Sequence, residues 1–258
     1  KDFGVTADIW SCPSFTELRR DGFDVERFKA KRLKAGIKPA TVNRDLDRIR
    51  GALSRAVDWG MLPVHPLKAV KRAKGDDNSR VRYLSADEEK RLRAAIEARE
   101  EDRRQQREQG NAWRRERGQE ELPAWPAGGY TDHLAPMVLL ALNTGLRRGE
   151  LLGLAWESVN LAAKLLTVAA GTAKSRKARH IPLNAEAVAV LTRWKKQGEG
   201  SGLVFPAPKG GRMTHINTSW EGLVSDAKLR DFRFHDLRHD FASKLVMAGV
   251  DLNTVREL

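Results

Sequence analysis

Three short segments of this 258-residue chain combine residue types that suit a phosphodiester. In Thr144-Gly-Leu-Arg-Arg-Gly-Glu-Leu151, Gly145 permits a sharp break between two helices, and Arg147 emerges at the N-terminal end of the second. Free amides and the helix dipole favour an anion there. Glu150 follows one turn later, where a carboxylate can fix the guanidinium. An ordinary helix–helix corner with a surface arginine would read the same way. In Phe234-His-Asp-Leu-Arg-His239, His235 and Arg238 are three apart and share a helical face. An arginine can grip two non-bridging phosphate oxygens while the histidine donates or exchanges a proton, although a basic helix start carries the same pattern. His239 falls just off that face and reads as structural. The third candidate is Lys174, in the turn of an expected hairpin. From a strand tip it could reach into a groove and protonate a leaving oxygen, whereas most such lysines are simply solvated. Lys177 and Arg179 compete with it for any role.

The elements that must position these residues are mostly helical. Met137, Leu139, Leu140 and Leu142 predict a buried helix ending at Thr144-Gly145, followed by a second helix from Arg147 to Trp156. Leu165–Ala169 and His180–Leu183 read as strands of a hairpin, and helices follow at Ala185–Lys196, Ile216–Lys228 and His235–Gly249. Upstream, Ser85-Ala-Asp-Glu88 is a capping-box pattern that opens a helix through Leu92 and Ile96. Residues 98–129 begin almost entirely charged or amide and continue with Pro and Gly, as a solvated helical extension or a mobile insertion would.

Nearer the start, Val42, Leu46, Ile49, Leu53 and Val57 recur at helical spacing. Pro39 sets the start of that helix, Thr41 sits near its N-cap, and Gly60 supplies the stop. Arg44, Arg48 and Arg55 fall on another face, with Arg50 at its edge, and a second basic helix is expected around Asp24–Ala35. Lys68 to Arg80 reads as a basic linker: it is polar, contains Gly75 and lacks apolar periodicity. The expected organisation is a helical domain over 1–75, a linker over 76–84 and a larger domain over 85–258. That larger domain should be mainly α with a small β-sheet.

Charge points to the partner. Lys and Arg outnumber Asp and Glu by 47 to 34, for a formal net charge of +13. Residues 1–83 hold 19 Lys and Arg against 11 Asp and Glu, so more than half of the excess lies in the first third. Such an excess favours a polyanion, nucleic acid before membrane. No apolar run reaches the roughly 20 residues of a membrane span. Cys12 is the single cysteine, which leaves no disulfide framework or zinc quartet and fits a reducing, cytoplasmic setting.

In order, Thr-Gly-Leu-Arg-Arg-Gly-Glu-Leu, a hairpin lysine before Arg-His-Ile-Pro-Leu, and His-Asp-Leu-Arg-His resemble the tyrosine recombinase (phage integrase) family. Lys38-Pro-Ala-Thr-Val-Asn-Arg and Ala56-Val-Asp-Trp-Gly resemble its helical core-binding domain, so the likeness spans about residues 24–258. The resemblance implies a core-binding domain and an α+β catalytic domain arranged as a clamp around double-stranded DNA. Arg147 and Arg238 would hold the scissile phosphate, Lys174 would be the general acid, His235 would assist proton transfer, and Glu150 would support Arg147. Lys38, Arg44, Arg48 and Arg55 would contact the DNA backbone. The family attacks with a tyrosine hydroxyl and uses no metal or other cofactor. Tyr83 and Tyr130 both precede the active-site set, so the nucleophile is expected beyond residue 258. The resemblance further implies a homotetramer on DNA, accessory DNA-bending proteins, and a bacterial or phage-encoded protein acting at the nucleoid. A type IB topoisomerase shares this chemistry, and a silent DNA-binding regulator could share the scaffold.

Overall fold

The computed structural model describes residues 21–75, 81–169 and 178–257. Internal packing divides the chain between Ser79 and Arg80 into two units.

In the first unit, α1 (Asp21–Lys34) packs against α2 (Pro39–Asp58). Pro39 occupies the first turn of α2, where its fixed φ fits and no amide is missed. That choice makes Lys38 the N-cap and puts Thr41 inside the helix, one turn later than expected, with no side-chain cap. Gly60, at φ +70, ends the helix as expected. Val25, Val42, Leu46, Leu67 and Val70 form the small core. The stretch expected as a linker contributes to it: Val70 and Ala73 are buried after α2. Asn43 holds that return segment by donating to the Ala73 carbonyl (2.9 Å) and accepting from its amide (2.8 Å). Periodicity could not reveal this segment because side-chain hydrogen bonds replace regular structure there.

The second unit is helical around a small sheet. Ser85 accepts from the Glu88 amide and Glu88 accepts from the Ser85 amide, closing the expected capping box of α3 (Ala86–Glu116). This helix runs on through the charged stretch for 31 residues. Pairs one turn apart, Glu89 with Arg93 and Glu100 with Arg104, support it. Arginine stems then fasten it to the following strap: Arg99 pairs with Asp132, and Arg107 lies over the Trp125 ring. Asn111 is hydrogen-bonded to both the amide and the carbonyl of Leu122.

Helix α4 (Leu134–Thr144) is apolar on nearly every side and lies at the centre of the core. It packs against α6 (Ala185–Lys195) and α8 (Asp236–Met247). Between α4 and α6 come the short α5 (Arg148–Leu152), a 3₁₀ turn (Trp156–Ser158) and the sheet. The sheet joins β1 (Val159–Asn160), β2 (Leu165–Val168) and β3 (Arg179–Pro182) in antiparallel order β1-β2-β3. Leu166 faces Ile181 across β2 and β3, and both are fully buried. The two-residue β1 is too short to leave a period in sequence. Helices α7 (Asn217–Asp226) and α9 (Leu252–Glu257) complete the unit. Among the described residues no helix is long and apolar enough to cross a membrane.

Candidate active site

The site is built where α4 ends. Gly145 caps α4 in the left-handed conformation, φ +60, and its amide bonds the Ala141 carbonyl. A β-carbon at this position would lie 2.4 Å from the Phe241 ring on α8, so both the backbone angle and the close approach require glycine. The same turn binds α8 a second way: Arg238 donates from Nη1 to the Gly145 carbonyl at 2.6 Å. The two arginine-bearing segments, 91 positions apart in sequence, therefore meet at one glycine.

Arg147 is the extended residue just before α5 (φ −66, ψ 146) and not a member of the helix. The long second helix expected here is only five residues, because the backbone at Ala155 turns to bridge Leu203. So short a helix carries little dipole. Side chains hold the arginine instead. The buried Glu150 carboxylate accepts from the Arg147 amide (2.9 Å) and from Arg147 Nη1 (3.0 Å).

Glu150 has a second partner, which the sequence offered only as a rival to Lys174 for a role at the hairpin. Arg179, at the start of β3, donates Nη1 to one carboxylate oxygen (2.9 Å) and Nη2 to the other (2.6 Å). Burial alone would raise the Glu150 carboxyl; the bonds from Arg179 and from the Arg147 amide and guanidinium overcome it and hold the pKa at about 2. A signal for Arg179 was present: it alternates with the buried Ile181, so period two turns an arginine inward, where it needs a partner.

Arg238 lies in the first turn of α8. Burial, then the charges of Arg147 and Arg179, push its guanidinium below the usual arginine value. His235 precedes the same helix, and its ring meets His239 edge-on with centroids 5.2 Å apart. His239, expected to be merely structural, is thus in direct contact with the candidate proton-transfer residue. Burial first, then His239, Arg238 and Arg147, push His235 below the usual histidine pKa, while Asp236 opposes them. Its neutral form is thereby favoured.

The structure therefore brings Arg147, Glu150, His235 and Arg238 together and adds Arg179: two guanidiniums, those of Arg147 and Arg179, bond the Glu150 carboxylate, and a third, that of Arg238, is held at the Gly145 carbonyl. Such a site attracts an anion and offers it fixed donors. Lys174 and Lys177 lie outside the described residues. Lys38, Arg44, Arg48 and Arg55 are exposed on the first unit, where Arg48 makes only a long contact (3.5 Å) with Asp45. Not every cation of that unit is available: Arg32 pairs with Asp45, and Arg50 bonds the Val70 carbonyl. Among the described residues no three His, Cys, Asp or Glu side chains are grouped to hold a metal.

The sequence model of the phage integrase family matches residues 129–258. The integrase of Salmonella phage P22 is 31% identical over 223 residues, which cover 80% of this chain and 47% of that protein. Tyrosine recombinase XerC of Xanthomonas campestris pv. campestris is 26% identical over 243 residues, covering 92% of this chain and 65% of that protein. The chain thus spans only about half to two thirds of the length of these relatives. Among solved structures, the Tn1549 transposon integrase in complex with circular intermediate DNA aligns with a TM-score of 0.64 at 18% identity, over 93% of this chain and 76% of that one. A lambda integrase dimer bound to a COC′ core site gives 0.61 at 17% identity, over 92% and 77%. At these identities the likeness is one of fold.

Proposed function

We propose, given that this chain belongs to the phage integrase family, that it carries the DNA-binding and phosphate-activating parts of a site-specific recombinase. The enzyme would cleave and rejoin double-stranded DNA through a 3′-phosphotyrosyl intermediate. The observation that carries this reading is that Arg147, fixed by the buried Glu150, and Arg238, bonded to the Gly145 carbonyl, meet at one turn, with His235 at the start of the helix that carries Arg238.

Arg147 and Arg238 hold the non-bridging oxygens of the scissile phosphate and stabilise the charge that grows on them as phosphorus becomes five-coordinate. A tyrosine oxygen attacks phosphorus and the bond to the 5′ oxygen breaks. That oxygen takes a proton from Lys174, and His235 assists proton transfer. Lys174 enters on its sequence pattern alone. The new phosphodiester to tyrosine keeps the bond energy, so a second strand's 5′ hydroxyl can reverse the step and rejoin the DNA. Neither tyrosine of the chain suits the attack. Tyr130 is buried under Arg193, and burial pushes its phenol up; Tyr83 lies in the segment entering α3. The nucleophile would come from sequence after residue 258. Lys38, Arg44, Arg48 and Arg55 add phosphate contacts on the same DNA. Assembly as a homotetramer on two sites, with accessory DNA-bending proteins, completes the proposal.

The test is a plasmid carrying two copies of the cognate site, incubated with the full-length protein. Recombinant circles are expected. Site-independent relaxation of supercoiled DNA would point to a topoisomerase, and tight binding without strand exchange or adduct would point to a regulator.

A further inference from the structure

We infer that Arg179 is a positioning residue for the phosphate site: it neutralises Glu150, so that this carboxylate orients Arg147 without cancelling the charge that Arg147 presents to DNA. The inference rests on the reading of Arg147 as a phosphate ligand.

The side chains of Glu150 and Arg179 are only 4% and 10% exposed. A carboxylate so far from water needs a cation and a full set of donors. If Arg147 were its single cation, the favoured arrangement would be a two-pronged fork between them. The arginine's charge would then be cancelled by the protein itself. The structure shows the fork made by Arg179, with one nitrogen to each carboxylate oxygen at 2.9 and 2.6 Å. Arg147 contributes only its amide and Nη1, and its side chain is 34% exposed. Its Nε and Nη2 make no bond among the described residues, so they are available to a ligand.

Charge arithmetic gives the same answer. Arg147, Arg179 and Glu150 together carry one net positive charge; without Arg179 the sum is zero. The surplus is felt across the site, since both Arg147 and Arg179 disfavour the charge on Arg238. The fold fixes the arrangement. Arg179 pairs with Val168 across the sheet and shares the inward face of β3 with Ile181, so its fork is aimed by strand register and not by a flexible loop.

The experiment uses the full-length protein on a nicked suicide duplex bearing its own site, with DNA affinity and the rate of covalent adduct at saturating DNA as separate readouts. R179Q leaves Glu150 facing Arg147 alone. Affinity should stay within about twofold, while the adduct rate falls roughly a hundredfold, as for loss of a phosphate donor. Removing the unmatched charge as well should reverse much of this. E150Q/R179Q, whose glutamine still accepts from Arg147, should form adduct at least about tenfold faster than R179Q, a coupling that only interacting sites produce. R179K, with charge but no fork, should fall between R179Q and wild type.

An R179Q rate above half of wild type would overturn the inference. So would a double variant no faster than R179Q, which would make the pair a purely structural bridge. Should R179Q fail to fold, E150Q/R179Q decides alone: within about tenfold of wild type supports the inference, and as slow as Arg147→Ala overturns it. A wild-type protein that binds its site yet forms no adduct overturns the recombinase reading and this inference with it.

Discussion

The arginines of α2 and the arginines around Glu150 carry the same charge and are held in opposite ways. Arg44, Arg48 and Arg55 lie on an open helical face, and the Arg48 side chain is 75% exposed. Arg179 is 10% exposed and locked to a carboxylate by two bonds, and Arg238 is bonded to the turn at Gly145. Exposed charges are screened by salt and keep their rotational freedom, so they contribute affinity and little direction. Immobilised charges in a partly dry site act on one oxygen in one geometry, and they need no reorganisation as charge develops. On the proposed reading, the first surface would collect DNA and the second would act on a single phosphate.

The largest effect expected from breaking this contrast is on rate. Arg147→Ala or Arg238→Ala in the full-length protein should slow covalent adduct formation roughly a hundred- to a thousandfold, with binding largely kept. Near-normal adduct formation by either variant, followed by gel under denaturing conditions, would remove these residues from the chemistry.

Next comes stability. Gly145→Ala introduces a β-carbon 2.4 Å from the Phe241 ring at a φ of +60. The left-handed backbone costs about 1–2 kcal/mol and overpacking about 1–3 kcal/mol, so denaturant melts should show a loss of about 2–5 kcal/mol. A loss below about 1 kcal/mol would mean that α8 can move aside freely.

A smaller effect belongs to the first unit. Arg44→Ala with Arg48→Ala should weaken binding to any duplex and reduce the slope of log affinity against log salt by about 2, one for each phosphate contact. An unchanged slope would place the DNA on another face of the unit.

The subtlest effect is protonation. In the free protein His235 sits below the usual histidine value, so its neutral form is the one the fold favours. Its protonation is therefore a cost to folding that grows as pH falls through the ordinary histidine value, and is absent above it. Bound phosphate brings a negative charge against the neighbouring arginines and should raise the His235 pKa. NMR titration of the ring with and without DNA reads this directly; a fall on DNA binding would show that no phosphate charge reaches the ring.

Much of this was legible in the residues, for identifiable reasons. The end of α4 was written in Thr144-Gly145, because a left-handed cap favours glycine, and the start of α3 in Ser85 and Glu88, because a capping box is local. The pairing of Glu150 with Arg147 was readable from spacing. What escaped were contacts made across sequence distance or without a period. The Phe241 ring against Gly145 joins residues on separate helices, and Arg179 reaches Glu150 from a strand 29 positions away. The return segment with Val70 and Ala73 looked like linker because Asn43, not backbone regularity, secures it. The charged half of α3 offered no apolar stripe, since its packing face is made of arginine stems.

One assay of the full-length protein is the most direct test of this chemistry: trapping the covalent complex on a nicked suicide duplex of its own site and mapping the linked residue by mass spectrometry. The expected result is a 3′-phosphotyrosyl link at a tyrosine following residue 258, abolished by Arg147→Ala and Arg238→Ala and formed at the wild-type saturated rate by the Arg44→Ala, Arg48→Ala protein. A link at Tyr83 or Tyr130, or cleavage indifferent to Arg147 and Arg238, would contradict it.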